Sequence, residues 1–154
     1  MAQTHLETER NCPQCGSRTK IARSLPQHRR FFALVKIAMA NWPEHHEFQP
    51  ADEQHLRRWL TCKAGYHAVT TIDLDGDHQE TGRAAVRIAE SAIRASGGVA
   101  FVRPHGTALA IFTPLSISFA RMKHQAFCDL CDRVANVIAR EIGASADDLI
   151  REAA

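Results

Sequence analysis

Asn11-Cys12-Pro13-Gln14-Cys15-Gly16 has the form of a zinc knuckle. Two thiolates three positions apart can ligate one tetrahedral ion, the proline sets the turn, and the glycine permits the positive φ that aims backbone N–H groups at sulfur. Such a pair needs two further ligands. Cys128 and Cys131 repeat the spacing within Phe127-Cys128-Asp129-Leu130-Cys131-Asp132, a segment that reads as the first turns of a helix. Cysteines at i and i+3 project from adjoining helical positions and can share an ion. Knuckle plus helical pair is the ligand plan of a treble-clef site. A closed shell of four cysteines leaves no open position for substrate, so the expected zinc is structural. Cys62 and His67 compete with the helical pair as donors, and Cys131 also falls on an apolar stripe where a cysteine can serve as a small core residue.

Asp73, Asp75, Asp77 and Glu80 form a second candidate constellation. Clustered carboxylates can hold Mg²⁺ against a scissile phosphate, which would make a metal-dependent nuclease. Asp-Gly-Asp is also ordinary turn chemistry, and the spacing is not that of a calcium loop. His45-His46 and the other histidines have no nucleophile or acidic orienter at a revealing spacing, and no phosphate-cradling glycine loop is present. No residue is assigned a catalytic role.

The net charge of +2 conceals an asymmetry: residues 1–70 hold ten Lys/Arg and six Asp/Glu, residues 71–154 nine and eleven. Gly16 to Lys36 carries Arg18, Lys20, Arg23, Arg29, Arg30 and Lys36 with no acidic residue. A one-signed stretch of this kind suits a phosphate backbone, and it is equally compatible with a solvated helix face.

The elements that must position these residues follow from periodicity. Met1 to Arg10 is expected to be a flexible tail, and residues 11–154 a single globular domain. Ser24-Leu25-Pro26-Gln27 has a helix-start signature, with Ser24 as N-cap and Gln27 as its capping-box partner; the helix runs to about Ala40. Phe31, Phe32, Val35, Ala38 and Met39 supply its apolar stripe. Asn41-Trp42-Pro43 stops it, and Pro50 to Glu53 opens a second helix with Leu56, Trp59, Leu60 and Ala64 on the buried face. Tyr66–Ile72 reads as a strand, Gly82–Ala95 as a helix, and Val99–Val102 and Leu109–Phe112 as strands joined through Pro104-His105-Gly106. The longest helix spans Lys123–Ile142 and Gly143 ends it, before a short final helix from Ser145. The predicted fold is α+β: three to five helices around a small antiparallel sheet, with the amino-terminal knuckle tied to the last long helix. With no run of eighteen apolar residues and no signal-peptide core in the first ten, a cytoplasmic protein that needs no membrane is expected. Five cysteines there favour metal binding over disulfides.

Three segments carry a resemblance: His28-Arg29-Arg30-Phe31-Phe32-Ala33, then Lys63-Ala64-Gly65-Tyr66, then Ser116-Ile117-Ser118-Phe119-Ala120-Arg121-Met122. In this order they resemble an uncharacterised family encoded by phages and prophages, over roughly residues 21–142. The resemblance implies a phage origin and no particular activity. The start of the first helix, with Arg23, Ser24, Gln27 and Arg29, is also similar to the Arg-Ser-x-x-Gln-Asn-Arg opening of NinB-type recombination mediators, which bind single-stranded DNA; His28 replaces the asparagine.

The expected function is a nucleic-acid-binding accessory of phage recombination or replication, acting on single-stranded DNA. Arg18, Lys20, Arg23, His28, Arg29 and Arg30 would meet phosphates near the first helix. The alternative is a phage module that binds and inhibits a host defence or replication protein.

Overall fold

The helical half is built on three apolar stripes. In the computed structural model, which describes residues 25–74, 79–95, 98–118 and 121–154, α1 (Leu25–Ala40) buries Phe31, Leu34, Val35 and Ala38. The i, i+3, i+4, i+7 spacing puts all four on one helical face. α2 (Glu53–Lys63) answers with Leu56, Trp59 and Leu60, and α4 (His124–Ile142) with Phe127, Leu130, Val134, Val137 and Ile138. The three helices pack against one another, and the Phe31 and Phe127 rings meet at 5.3 Å. α5 (Ala146–Glu152) adds Leu149 to this core.

Local chemistry sets the boundaries. Asp52 caps α2 from extended backbone, its Oδ1 accepting from the His55 N–H at 2.7 Å. At the other end Tyr66 N–H returns to Thr61 O and Gly65 N–H to Cys62 O, the paired bonds of a Schellman ending, which needs the left-handed φ of 85° at Gly65. Gly143, at φ 71°, ends α4 in the same way. Ser145 sits at the N-cap position of α5 but its side chain makes no capping bond.

The sheet has three antiparallel strands, β1 (His67–Asp73), β2 (Phe101–His105) and β3 (Ala108–Pro114), in the order β1-β3-β2. β3 is central: Gly106-Thr107 folds it directly onto β2, and its other edge takes β1, which is joined to β2 by the longer connection through α3 (Gln79–Ala95). The expected loop at Pro104-His105 is strand: both pair with β3, opposite Leu109 and Ala108. β2 is an edge strand, so a proline's missing N–H can face outward. α3 starts earlier than Gly82 and packs on β2 and β3.

The loop between α1 and α2 joins the two halves through aromatic rings. Phe48 stacks parallel on Trp59 at 4.9 Å and meets Phe101 of β2 at 5.7 Å, while Trp42 donates its indole N–H to Phe48 O at 2.8 Å. Among the described residues, the α+β class, five helices and a small antiparallel sheet agree with the sequence reading. Cys12, Cys15, Arg18, Lys20, Arg23, Ser24, Asp75 and Asp77 lie outside the described residues, as does the expected tail.

Candidate functional site

His28 and Phe32 are one turn apart on α1 and share the face that lies beside α2; their rings meet edge-on at 4.7 Å. Arg57 and Arg58 come to this face from α2, and Arg121 from the segment after β3. Together with Ser116 and Ser118 they line a groove of about 700 Å³. No carboxylate lines it, and none of its three arginines has an ion-pair partner among the described residues.

The charge in this groove is uncompensated in a physically costly place. Burial lowers the Arg57 pKa, and the neighbouring Arg58 charge lowers it further. A guanidinium nonetheless keeps its proton at neutral pH. The cost of holding two like charges side by side is relieved when an anion arrives, and guanidinium forks match the paired oxygens of phosphate. Arg57 is also oriented: its Cζ lies 5.9 Å over the Phe32 ring centroid.

A neighbouring cleft of about 710 Å³ is less suited to an anion, because Glu47, Asp52 and Glu90 line it together with Arg58 and Arg94. There His55 stacks parallel on Phe101 and accepts from the Ala51 N–H at 3.2 Å. Burial lowers the His55 pKa, with Asp52 opposing the shift and Arg94 and Arg58 reinforcing it, so this ring favours its neutral form. Like-charge repulsion from three carboxylates argues against phosphate here.

His46 and Glu141 look like a base with its acidic orienter, Nε2 standing 3.1 Å from Oε2. The other ring nitrogen, Nδ1, is 2.9 Å from both the backbone N and O of Phe48. With both nitrogens engaged by protein, the pair ties the end of α4 to the α1–α2 loop and has no atom left for a substrate.

Of the basic patch expected around the start of α1, Arg18, Lys20 and Arg23 lie outside the described residues, and His28, Arg29 and Arg30 do not share one surface. Successive helical residues are rotated by about 100°, so neighbours in sequence part company. His28 lines the groove, Arg29 is exposed, and Arg30 lies in a separate small crevice with Gln27, Leu34, Cys128, Cys131 and Asp132. Arg57, Arg58 and Arg121 were not signalled by any charge run. The one available sign was the Arg57-Arg58 doublet on a helix otherwise committed to the core.

Cys128 and Cys131 are on the buried side of α4, at 2% and 7% exposure. The Gln27 amide donates to Cys128 Sγ, and His124 Nε2 is 3.7 Å from the same sulfur. Among the described residues no three His, Cys, Asp or Glu side chains converge as a metal site. In the competing pair, His67 Nδ1 donates to the Cys62 carbonyl at 2.8 Å, and burial pushes the Cys62 thiol up to about 12. Of the carboxylate constellation, Asp73 is exposed at the end of β1. No helix among the described residues is long and apolar enough to cross a membrane. The chain matches no family model, no curated protein and no solved structure.

Proposed function

We propose that this chain is a nucleic-acid-binding accessory protein of the recombination or replication type found in phages, and that it grips a phosphate backbone in the groove between α1 and α2. The observation that carries the reading is the convergence of Arg57, Arg58 and Arg121 on a groove that no carboxylate among the described residues lines. A flexible single strand, which can bring successive phosphates to arginines on different elements, fits this placement better than a rigid duplex. Ser116 and Ser118 add hydroxyl donors to the same wall, and His28 joins it from α1. With its arginines engaged by phosphates, the groove positions the strand without reading bases, and binding is expected to be indifferent to sequence.

A structural zinc belongs to the same proposal. Cys12 and Cys15 would hold it with Cys128 and Cys131, supplying folding energy and no chemistry. Donation from the Gln27 amide to Cys128 Sγ suits a thiolate sulfur.

The test is an electrophoretic mobility shift with single- and double-stranded oligonucleotides over a salt series. Binding should weaken steeply with salt, and Arg57→Ala with Arg58→Ala should make the log K against log[salt] slope shallower by about 2 units. No binding at about 50 mM salt, where screening is weakest, would sink the reading and leave the inhibitor of a host protein as the better one.

A further inference from the structure

The two edges of the sheet are protected very differently. β2 carries Arg103 and Pro104 and has α3 packed on it, both usual means of blunting an edge. β1 has none of these. His67-Ala68-Val69-Thr70-Thr71-Ile72-Asp73 contains no lysine, arginine or proline, its register with β3 is continuous, and every residue from Ala68 to Asp73 is exposed. Val69 and Ile72, on opposite faces, are 53% and 47% exposed.

The ladder fixes which backbone groups of β1 face outward. Leu115 N–H donates to Tyr66 O and Leu74 N–H to Thr107 O, so residues 66 and 74 belong to the hydrogen-bonded pairs with β3. Pairs alternate along an antiparallel ladder, so 68, 70 and 72 also turn their N–H and C=O groups to β3. The groups of His67, Val69, Thr71 and Asp73 then face the open side.

From this geometry we infer that β1 pairs antiparallel with β1 of a second copy of this chain about a twofold axis at Thr70, making a continuous six-stranded sheet. The sequence is self-complementary in that register. Val69 falls opposite Thr71, Ala68 opposite Ile72, and Thr70 opposite itself, so β-branched residues meet small or β-branched ones on both faces. At the two ends His67 falls opposite Asp73, a cation-forming ring facing a carboxylate, and no like charges oppose each other. The outward-facing groups of 67, 69, 71 and 73 meet each other in the same register, which a shift by one residue would prevent. The inference does not depend on the groove's ligand.

The experiment is light scattering coupled to size exclusion of the full chain over a concentration series. A mass of twice 17.1 kDa is expected. Thr71→Pro removes an outward N–H and no bond to β3; it should weaken dimerisation at least tenfold while leaving the far-ultraviolet circular dichroism unchanged. Thr70→Cys places two cysteines across the axis at a non-hydrogen-bonded pair, where Cα atoms stand about 4.5 Å apart, within reach of a disulfide. Mild oxidation should cross-link it faster than the wild type. A wild-type monomer throughout, open-ended oligomers, or a dimer that Thr71→Pro leaves intact would each overturn the inference.

Discussion

Arg57 of α2 lies over the ring of Phe32 of α1, with 5.9 Å between the guanidinium carbon and the ring centroid. The contact joins two helices across the floor of the groove and holds a planar cation with its N–H edges free to meet an anion. Lysine at this position would keep the charge and lose both the stacking and the fork. Arg57→Lys is therefore expected to weaken oligonucleotide binding by about 1 kcal/mol, a factor of five or more, while leaving the salt slope nearly unchanged. Fluorescence anisotropy at two salt concentrations reads both quantities. An affinity equal to wild type would show that charge alone matters at this position.

Trp59 anchors the helical side of the link that Phe48 makes to Phe101 of the sheet. It stacks on Phe48, takes Trp42 edge-on at 5.3 Å, and has Lys63 Nζ 4.9 Å from its centroid. Trp59→Ala removes all three contacts and leaves a cavity, at an expected cost of about 3–5 kcal/mol in denaturant unfolding. Wild-type Trp59 fluorescence should resist aqueous quenchers.

The helices were legible because their signals are local. Phe31, Val35 and Ala38 of the expected stripe are buried in α1, although Leu34 was missed and Phe32 and Met39 are only partly buried, and Pro50 to Glu53 announces the start of α2. β2 was misjudged at Pro104, since only the strand order shows that it lies on an edge where proline is tolerated. The groove was not legible at all. Its arginines come from positions 57, 58 and 121, and His28 from a third element. A charge run finds residues that are neighbours in sequence, and helical rotation sent Arg29 and Arg30 elsewhere. Phe48 was passed over because a single aromatic in a polar loop has no period to reveal its burial.

Glu141 provides a pH test of the bond between α4 and the α1–α2 loop. Burial pushes its carboxyl up, but hydrogen bonds to His46 and Arg140, together with their charges, outweigh this and lower its pKa below 4.5. A carboxyl with a depressed pKa in the folded state stabilises the protein above its unfolded value, and the contribution is lost as pH falls through the folded one. Glu141→Gln should cost about 1 kcal/mol at neutral pH. The difference from wild type should close as pH falls through the lowered folded-state value, below which both side chains are neutral. Urea midpoints at neutral pH and in acid below that value measure it, and a gap that stays constant would show that the carboxylate charge contributes nothing.

Cys62, Cys128 and Cys131 are all buried, and their hydrogen-bond partners, not their burial, distinguish which would hold the proposed zinc. Burial pushes the Cys62 thiol up to about 12. Cys128 instead receives an N–H from Gln27, with Cys131 one helical turn further along α4. Hydrogen-bond donation to sulfur favours the thiolate that a zinc ligand must be. Protein purified without added metal should therefore contain about one zinc per chain by elemental analysis. Cys12→Ser and Cys128→Ser should each lose most of it and several kcal/mol of stability, because metal-binding energy becomes folding energy. Cys62→Ser should retain the full equivalent. Zinc that survives Cys128→Ser and disappears with Cys62→Ser would reverse the assignment. Less than a tenth of an equivalent in wild-type protein that remains folded after chelation would remove the site altogether.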